Sequence, residues 1–129
     1  MNDSSTSRIL VVEDEKSLLH ALRQKLTDAG YIVDACKNGK EALEVSTAHN
    51  PDLVLADILM PVMDGINMLK EIRTKSWGQS IPVIILTNID NQVEISAQAS
   101  ELYVNKYLIK ADSTLEEVVD KVSEVLHHR

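Results

Sequence analysis

Short apolar runs alternate with longer amphipathic segments along the whole chain. The predicted strands are the apolar runs at 9–12, 31–36, 53–57, 81–86 and 107–109. The predicted helices are one that Gly30 closes, then 40–49, 65–74 and a weaker 91–102, and a last helix that starts at 113 or 114. Continuous apolar runs are typical of strands buried on both faces. Strict strand–helix alternation therefore predicts an α/β fold, a doubly wound, five-stranded parallel sheet with helices on each side.

Polar side chains stand where four of these strands end. Glu13 and Asp14 follow the first strand, Asp57 ends the third, Thr87 ends the fourth and Lys110 ends the fifth. Taken singly, each has an ordinary explanation, such as a solvated loop or a surface lysine. Ligands of open parallel sheets, however, bind at the carboxyl ends of the strands. We therefore expect these five side chains to meet at one edge of the sheet.

Such a group has a definite chemistry. Three carboxylates close together repel each other unless a cation intervenes, and Mg²⁺ prefers oxygen ligands and retained waters. A carboxylate beside Mg²⁺ can attack phosphorus and form an acyl phosphate. The ammonium of Lys110 and the hydroxyl of Thr87 would then stabilise the phosphoryl oxygens. Asp57 is the predicted nucleophile.

Composition narrows the class of protein further. The 129 residues fit one domain, and 44% are hydrophobic, enough for an ordinary core. The net charge of −7 argues against direct binding of nucleic acid or of a membrane surface. Cys36 is the single cysteine, so no internal disulfide can form. With no apparent leader or spanning segment, we expect a cytoplasmic protein.

Three segments match a known family in order and spacing: 9–15, 57–65 and 107–110. Over nearly its whole length the chain resembles the receiver domains of two-component response regulators, in the stand-alone CheY-like form. The resemblance implies a flavodoxin-like sheet of strand order 2-1-3-4-5. It further implies a disordered segment at 1–7, a single receiver domain at 8–129 and no output domain.

The same resemblance implies a role for each polar residue of the predicted site. Asp57 would accept a phosphoryl group from a histidine kinase or a histidine phosphotransfer protein. Mg²⁺ would be the cofactor, bound by Asp14, by Glu13 directly or through water, by Asp57 and by the backbone carbonyl of Leu59.

Signalling would follow from a switch pair. Thr87 would move toward the phosphoryl group, Tyr107 would swing inward, and Lys110 would pair with the phosphoryl oxygens. The surface formed by the fourth helix, the fifth strand and the last helix would change and act on a downstream protein. Such a protein switches by catalysing its own phosphorylation and dephosphorylation, and is not an enzyme with a separate substrate. Members of the family that dimerise through this surface tend to have an Arg-rich last helix. Here Lys121 is the only cation of that helix before its terminal residues, so the resemblance implies a monomer.

Some positions depart from the family pattern. Ala111 replaces the usual proline after the lysine, so the Lys110–Ala111 bond is either trans with a rearranged loop or cis under strain. Asn88 follows Thr87 in place of a small residue, and Tyr103-Val104-Asn105 replaces the usual Gly-Ala-Asp. These departures leave open a pseudo-receiver, the same fold used as an interaction module without phosphorylation.

Two other functions fit less well. A flavodoxin-like redox protein needs a phosphate-binding loop after the first strand, and the acidic loop 13–15 would repel the phosphate of FMN. A Mg²⁺-dependent phosphohydrolase needs a second carboxylate two residues after the nucleophile, where this chain has Leu59.

Overall fold

A computed structural model describes residues 6–58, 63–88 and 102–127. The elements are β1 (Arg8–Val12), α1 (Lys16–Asp28), β2 (Ile32–Cys36), α2 (Gly39–Ala48), β3 (Leu53–Ala56), α3 (Gly65–Arg73), β4 (Val83–Thr87), β5 (Lys106–Ile109) and the C-terminal helix (Leu115–His127). Short 3-10 turns cover Ser76–Gly78 and Lys110–Asp112. All five predicted strands and four of the predicted helices are confirmed. The predictions of a disordered segment at 1–7 and of a helix at 91–102 lie outside the described residues, apart from residues 6, 7 and 102.

The strands form one parallel sheet in the order β2-β1-β3-β4-β5, so the predicted fold class is confirmed. In register, Val12 lies beside Ala56, and Ala56 beside Ile85. The ends of β1 and β3 are therefore level, which brings the residues that follow them, Glu13 and Asp57, side by side.

Two hydrophobic layers enclose this sheet. Alternate residues of a strand face opposite sides, so Ile9 and Val11 belong to one layer, and Leu10 and Val12 to the other. The first layer is completed by α1 and the C-terminal helix, and the second by α2 and α3. Within the described ranges, no helix is long and apolar enough to cross a membrane.

Side chains fix the ends of the helices. Gly30 has a φ of 101° directly after α1, the left-handed conformation that suits glycine at a helix end. Asn38 and Asp64 accept hydrogen bonds from backbone N–H groups in the first turns of α2 and α3. At the C-terminal helix, Thr114 and Glu117 each accept a bond from the other's backbone N–H, at 3.1 Å. Each such cap contributes about 1 kcal/mol.

The segment before β5 has an unusual backbone. Tyr103 has a φ of 57°, a left-handed conformation that L residues with side chains rarely adopt, and its side chain is 77% exposed. Two residues later, Asn105 binds Val83 twice: its side-chain oxygen accepts from Val83 N at 2.9 Å, and its N–H donates to Val83 O at 2.8 Å. The segment that replaces Gly-Ala-Asp therefore still pairs with β4 just before β5 begins, through Asn105. It also places an aromatic residue with a strained backbone, Tyr103, on the surface.

Arg73 at the end of α3 ties this segment to the rest of the fold. Its guanidinium donates to the carbonyl of Leu102 at 2.9 Å, and also to those of Gly78 and Ile81 at 2.9 and 2.8 Å. One planar side chain therefore joins α3, the loop before β4 and the segment before β5.

Candidate functional site

Asp57 lies directly beyond β3 and is only 5% exposed. Its backbone N–H donates to the carbonyl of Val12 at 2.9 Å, which extends the pairing of β3 with β1 by one residue. The Oδ1 atom accepts from the N–H of Ile58 at 2.7 Å, and Oδ2 lies 2.9 Å from Nζ of Lys110. Both carboxylate oxygens of this buried residue therefore have partners.

Glu13 lies beside it, beyond β1, and is 1% exposed. Its Oε1 lies 2.8 Å from Nζ of Lys110, and its Oε2 accepts from the N–H of Glu15 at 2.9 Å. Burial raises the pKa of Glu13, and the charge of Asp57 raises it further, against the hydrogen bonds from Lys110 and Glu15 that lower it. A second cation at this position would therefore be favourable.

Lys110 lies between the two carboxylates. Burial alone would lower its pKa, but hydrogen bonds and charge attraction from Glu13 and Asp57 outweigh that effect and raise it. The raised pKa of Glu13 favours the neutral acid, whereas the raised pKa of Lys110 favours the charged ammonium. Because both contacts are shorter than 3 Å, we conclude that a charged ammonium bridges the two acids at neutral pH.

Three acids at this edge can hold a metal ion. Ligand oxygens of Glu13, Asp14 and Asp57 all lie within 4.8 Å of one another. Asp14 is exposed, whereas the other two are buried. An oxygen-only donor set with one open side fits Mg²⁺, which keeps several waters when it binds to proteins. The predicted fourth ligand, the carbonyl of Leu59, lies outside the described residues.

Thr87 ends β4 with an unmet hydrogen bond. Its Oγ1 is buried and has no hydrogen-bond partner among the described residues. A buried polar atom without a partner costs about 1–3 kcal/mol. This hydroxyl is therefore available to a ligand that arrives next to Asp57. Asn88, which follows Thr87 in place of a small residue, is exposed.

Tyr107 lies on β5, paired with Ile85 of β4, while Thr87 pairs with Ile109. Ile85 and Thr87 are two residues apart on β4, so they share a face of the sheet. Tyr107 projects to the same side because it pairs with Ile85. The Tyr107 ring is partly buried against the layer that α2 and α3 complete, and this burial raises its pKa. The two residues of the predicted switch pair therefore share one face of the sheet.

Gly65, the first residue of α3, packs against the backbone beside Asp57. Its N–H donates to the carbonyl of Ile58 at 2.8 Å. A Cβ atom at this position would collide with the carbonyl oxygen of Asp57 and lie 2.9 Å from Cα of Ile58. Asp64 before it is the N-cap of α3, and its side chain accepts from the N–H of Asn67.

The peptide bond after Lys110 is trans, since no described peptide bond is cis. Of the two predicted outcomes, the trans one with an altered loop is therefore the one observed, and Lys110–Asp112 form a 3-10 turn. Lys110 still reaches both acids from this turn. The contact of Lys110 with Glu13 was not predicted from the sequence. Neither were the N–H groups of Ile58 and Glu15 that bind the two carboxylates, because every residue except proline carries such a donor and its position depends on the fold.

Comparison with known proteins identifies the family. The sequence model described as "Response regulator receiver domain" matches residues 9–123. The chain is 37% identical over 108 residues to a probable transcriptional regulator, ycf27, of Cyanidium caldarium, which covers 84% of this chain and 42% of the relative. It is 37% identical over 87 residues to the response regulator MprA of Mycolicibacterium vanbaalenii, covering 67% and 37% of the two chains. The chain thus spans about two fifths of the length of these relatives.

Solved structures agree. The chemotaxis response regulator CheY4 of Vibrio cholerae has a TM-score of 0.84 at 27% identity, covering 93% of this chain and 98% of that one. The response regulator TrrA of Thermotoga maritima, solved in complex with Mg²⁺–BeF, has a TM-score of 0.78 at 33% identity, covering 93% and 99%. An acidic pocket such as Glu13, Asp14 and Asp57 is typical of phosphoaspartate signalling. The chain belongs to the response regulator receiver domain family.

Proposed function

We propose that this receiver domain is a phosphorylation switch in which Asp57 accepts a phosphoryl group in a Mg²⁺-dependent reaction. The observation that carries the proposal is the surroundings of Asp57: a lysine at 2.9 Å, two further acids for a metal, and a buried hydroxyl that has no partner in the described part of the chain. A structural carboxylate would need the lysine alone, whereas phosphoryl transfer needs all three.

The reaction follows from the way Asp57 is held. An oxygen of its carboxylate attacks phosphorus, and the bond from phosphorus to the nitrogen of a phosphohistidine donor breaks, returning the electron pair to the imidazole. Glu13, Asp14 and Asp57, together with the Leu59 carbonyl, would hold Mg²⁺, which supplies positive charge opposite the transferred oxygens. The Ile58 N–H fixes the carboxylate orientation at 2.7 Å.

Lys110 changes partners in this scheme. Once Asp57 is phosphorylated, its carboxyl group no longer carries the negative charge, and the ammonium moves to a phosphoryl oxygen while it stays close to Glu13. The Thr87 hydroxyl donates to another phosphoryl oxygen and gains a hydrogen bond that no described residue of the unmodified protein gives it. Attack of water on phosphorus would break the bond to the Asp57 oxygen, release inorganic phosphate and restore the carboxylate of the resting state.

The output of the switch runs through Thr87 and Tyr107. Movement of Thr87 toward the phosphoryl group frees space on the sheet face that it shares with Tyr107, and the partly buried ring moves inward. The equilibrium between the two conformations would then shift. This shift would change the surface formed by the predicted fourth helix at 91–102, β5 and the C-terminal helix. A downstream protein would bind that surface.

The partners follow from the class of domain. Receiver domains interact with histidine kinases, and we propose a histidine kinase or a histidine phosphotransfer protein as the phosphoryl donor. The net charge of −7 favours a protein target over direct nucleic-acid contact. We further propose that the domain works in the cytoplasm, and as a monomer because the C-terminal helix carries few cations.

Mass spectrometry after incubation with Mg²⁺ and acetyl phosphate or phosphoramidate tests the proposal. We expect one added phosphoryl group that is absent with EDTA and absent in Asp57→Asn. Asp120→Asn, an equivalent change of an exposed aspartate on the C-terminal helix, is the matched control and should be modified like the wild type.

The competing function is a pseudo-receiver that never carries phosphate. Asn88 and Ala111 are the residues that favour it, because both depart from the family pattern at the edge of the site. Absence of any adduct with small donors and with a histidine kinase alike would establish this alternative. Substituting a small residue for Asn88 and proline for Ala111 would then show which departure is responsible.

A further inference from the structure

The outer edge of β2 offers backbone groups for pairing. β2 is the edge strand of the described sheet, opposite to β5. Ile32 donates to Ser7 through its N–H, and Cys36 accepts from Glu13 through its carbonyl, so the backbone groups of these two residues point toward β1. Alternate residues of a parallel strand point the other way. The N–H and C=O groups of Val33 and Ala35 therefore point outward, where no described strand pairs with them.

Two adjoining grooves run along this edge, between β2 and α1. They measure about 750 and 550 Å³ and share His20 and Arg23 as lining residues. Leu19 and Ala35 contribute apolar surface to one groove, and Ile32 and Val33 to the other. Both grooves lie beside the β2 edge, where an added strand would run.

The α1 wall of these grooves carries two cations, Lys16 and Arg23, together with His20, and Glu15 lies at one end of it. Lys16, His20 and Arg23 follow each other at helical spacing, so they lie on one face of α1. None of the three forms an ion pair or a side-chain hydrogen bond with another described residue. By contrast, Arg8 on the neighbouring strand pairs with Asp34 at 2.9 Å. In a chain of net charge −7, this wall leaves positive charge for a partner to neutralise.

We propose that the β2 edge binds an extended acidic segment of a partner protein, which adds to the sheet as a further strand. Side chains of an added strand would alternate between the two faces of the sheet. Those on the α1 side would meet Lys16 and Arg23 and should be acidic. Those on the other side would meet Ile32, which is 41% exposed, and should be apolar.

Charge argues for this occupant over two others. A second copy of the chain, paired through β2 about a two-fold axis, would set two α1 helices side by side with like charges facing each other, which is unfavourable. A nucleic acid gains little from an edge of backbone N–H and C=O groups, whereas a peptide strand satisfies both.

This edge is separate from the proposed output surface. β2 and β5 are at opposite ends of the sheet, and the binding mode needs neither Asp57 nor Mg²⁺. The domain could therefore hold one partner at β2 constitutively while phosphorylation controls a second partner at the other edge.

The test uses a short labelled peptide in which Glu alternates with Val, with a Lys–Val peptide as its opposite-charge control. We expect the Glu–Val peptide to bind in a fluorescence anisotropy titration, and the double variant Lys16→Glu, Arg23→Glu to weaken it by about tenfold or more, as the loss of two charge pairs implies. Lys40→Glu, a charge reversal at an exposed position of α2, should leave binding unchanged. So should Asp57→Asn, which separates this proposal from the phosphorylation switch.

Amide hydrogen exchange by NMR shows whether the peptide pairs with the strand. Bound peptide should slow exchange at Val33 and Ala35, whose N–H groups point outward, more than at Asp34, whose N–H already points toward β1. The proposal is overturned if the Lys–Val peptide binds equally well, if the double variant binds the Glu–Val peptide normally, or if binding leaves Val33 and Ala35 unprotected. It is also overturned if these amides become protected by self-association at high protein concentration without peptide, or if only an oligonucleotide binds there.

Discussion

Lys110 extends past β4 from the end of β5 and places its ammonium 2.9 Å from Oδ2 of Asp57 at the end of β3. The same ammonium lies 2.8 Å from Oε1 of Glu13 at the end of β1. One cation thus joins the ends of three strands in the unmodified protein. In the proposed switch, phosphoryl transfer to Asp57 would redistribute these contacts, and a single side chain would then couple stability to switching.

Removal of that cation should destabilise the fold. Lys110→Gln leaves two buried carboxylates side by side, and breaking a buried ion pair from one side costs about 3–5 kcal/mol. Urea unfolding at neutral pH with EDTA should show this loss, and Mg²⁺ should restore part of it by replacing the missing charge. Lys121→Gln, at an exposed pair with Glu124, should change stability by less than about 1 kcal/mol. Equal losses in the two variants would contradict the bridging role.

The raised pKa of Lys110 sets the sign of a pH effect. A base whose pKa is higher in the folded state contributes its full stabilisation below the unfolded value, 10.5. That contribution is lost only as the pH rises through the folded pKa. The difference in stability between wild type and Lys110→Gln should therefore shrink at alkaline pH.

Thr87→Val should stabilise the unmodified protein. The substitution replaces a buried hydroxyl without a partner by a methyl group of similar size, so we expect a gain of about 1 kcal/mol in the free energy of unfolding. The same variant should gain less stability than wild type from a beryllofluoride–Mg²⁺ complex, because it has no hydroxyl to offer. Thermal denaturation with and without beryllofluoride measures both effects. A destabilised variant would mean that the hydroxyl has a partner.

Arg73→Lys should cost about 2 kcal/mol or more, because a lysine keeps the charge but cannot bind the carbonyls of Leu102, Gly78 and Ile81 together. Chemical denaturation gives the value. Arg23→Lys is the matched control, since Arg23 has no side-chain partner among the described residues, and should stay within about 0.5 kcal/mol of wild type.

Tyr103→Gly should raise stability by about 0.5–1 kcal/mol. Glycine adopts a φ of 57° without strain, and a side chain that is 77% exposed contributes little packing. Urea denaturation of the two proteins is a sufficient measurement. A loss of more than about 1 kcal/mol would show that the tyrosine ring contributes packing that outweighs the strain.

Cys36 gives the second pH effect. Burial raises the pKa of its thiol from 9.0 to about 12, so the folded state keeps a proton that the unfolded state loses in this range. Stability should therefore fall as the pH rises from 9 toward 12, and less steeply in Cys36→Ala. At neutral pH, reaction with iodoacetamide should be no faster than unfolding. Rapid labelling of the folded protein would contradict the burial of this residue.

Most of the fold could be predicted because buried strands leave continuous apolar runs. The site could be predicted in part for a related reason, since parallel strands bring the residues after them to one edge, as with Glu13 and Asp57. The sequence could not show that Lys110 bridges both acids, because nothing in the spacing ranks one acid over the other. Nor could it show Arg73 as a clamp, because its acceptors are carbonyls whose positions depend on the finished fold, or a left-handed backbone at Tyr103, where the residue type argues against one.

Gly65 limits how this chain can change by mutation. Every other amino acid would bring a Cβ atom against the backbone of Asp57 and Ile58. Each substitution at Gly65 would therefore displace Asp57 directly. A lineage could exchange surface residues of β2 or Tyr103 freely and keep the pocket. A single codon change at Gly65 would alter the pocket at once, and a second change elsewhere could not easily restore it because the collision is with backbone atoms. A substitution of Gly65 should therefore impair the acidic pocket in a single step. We expect a return to glycine to be the main way in which the pocket is restored.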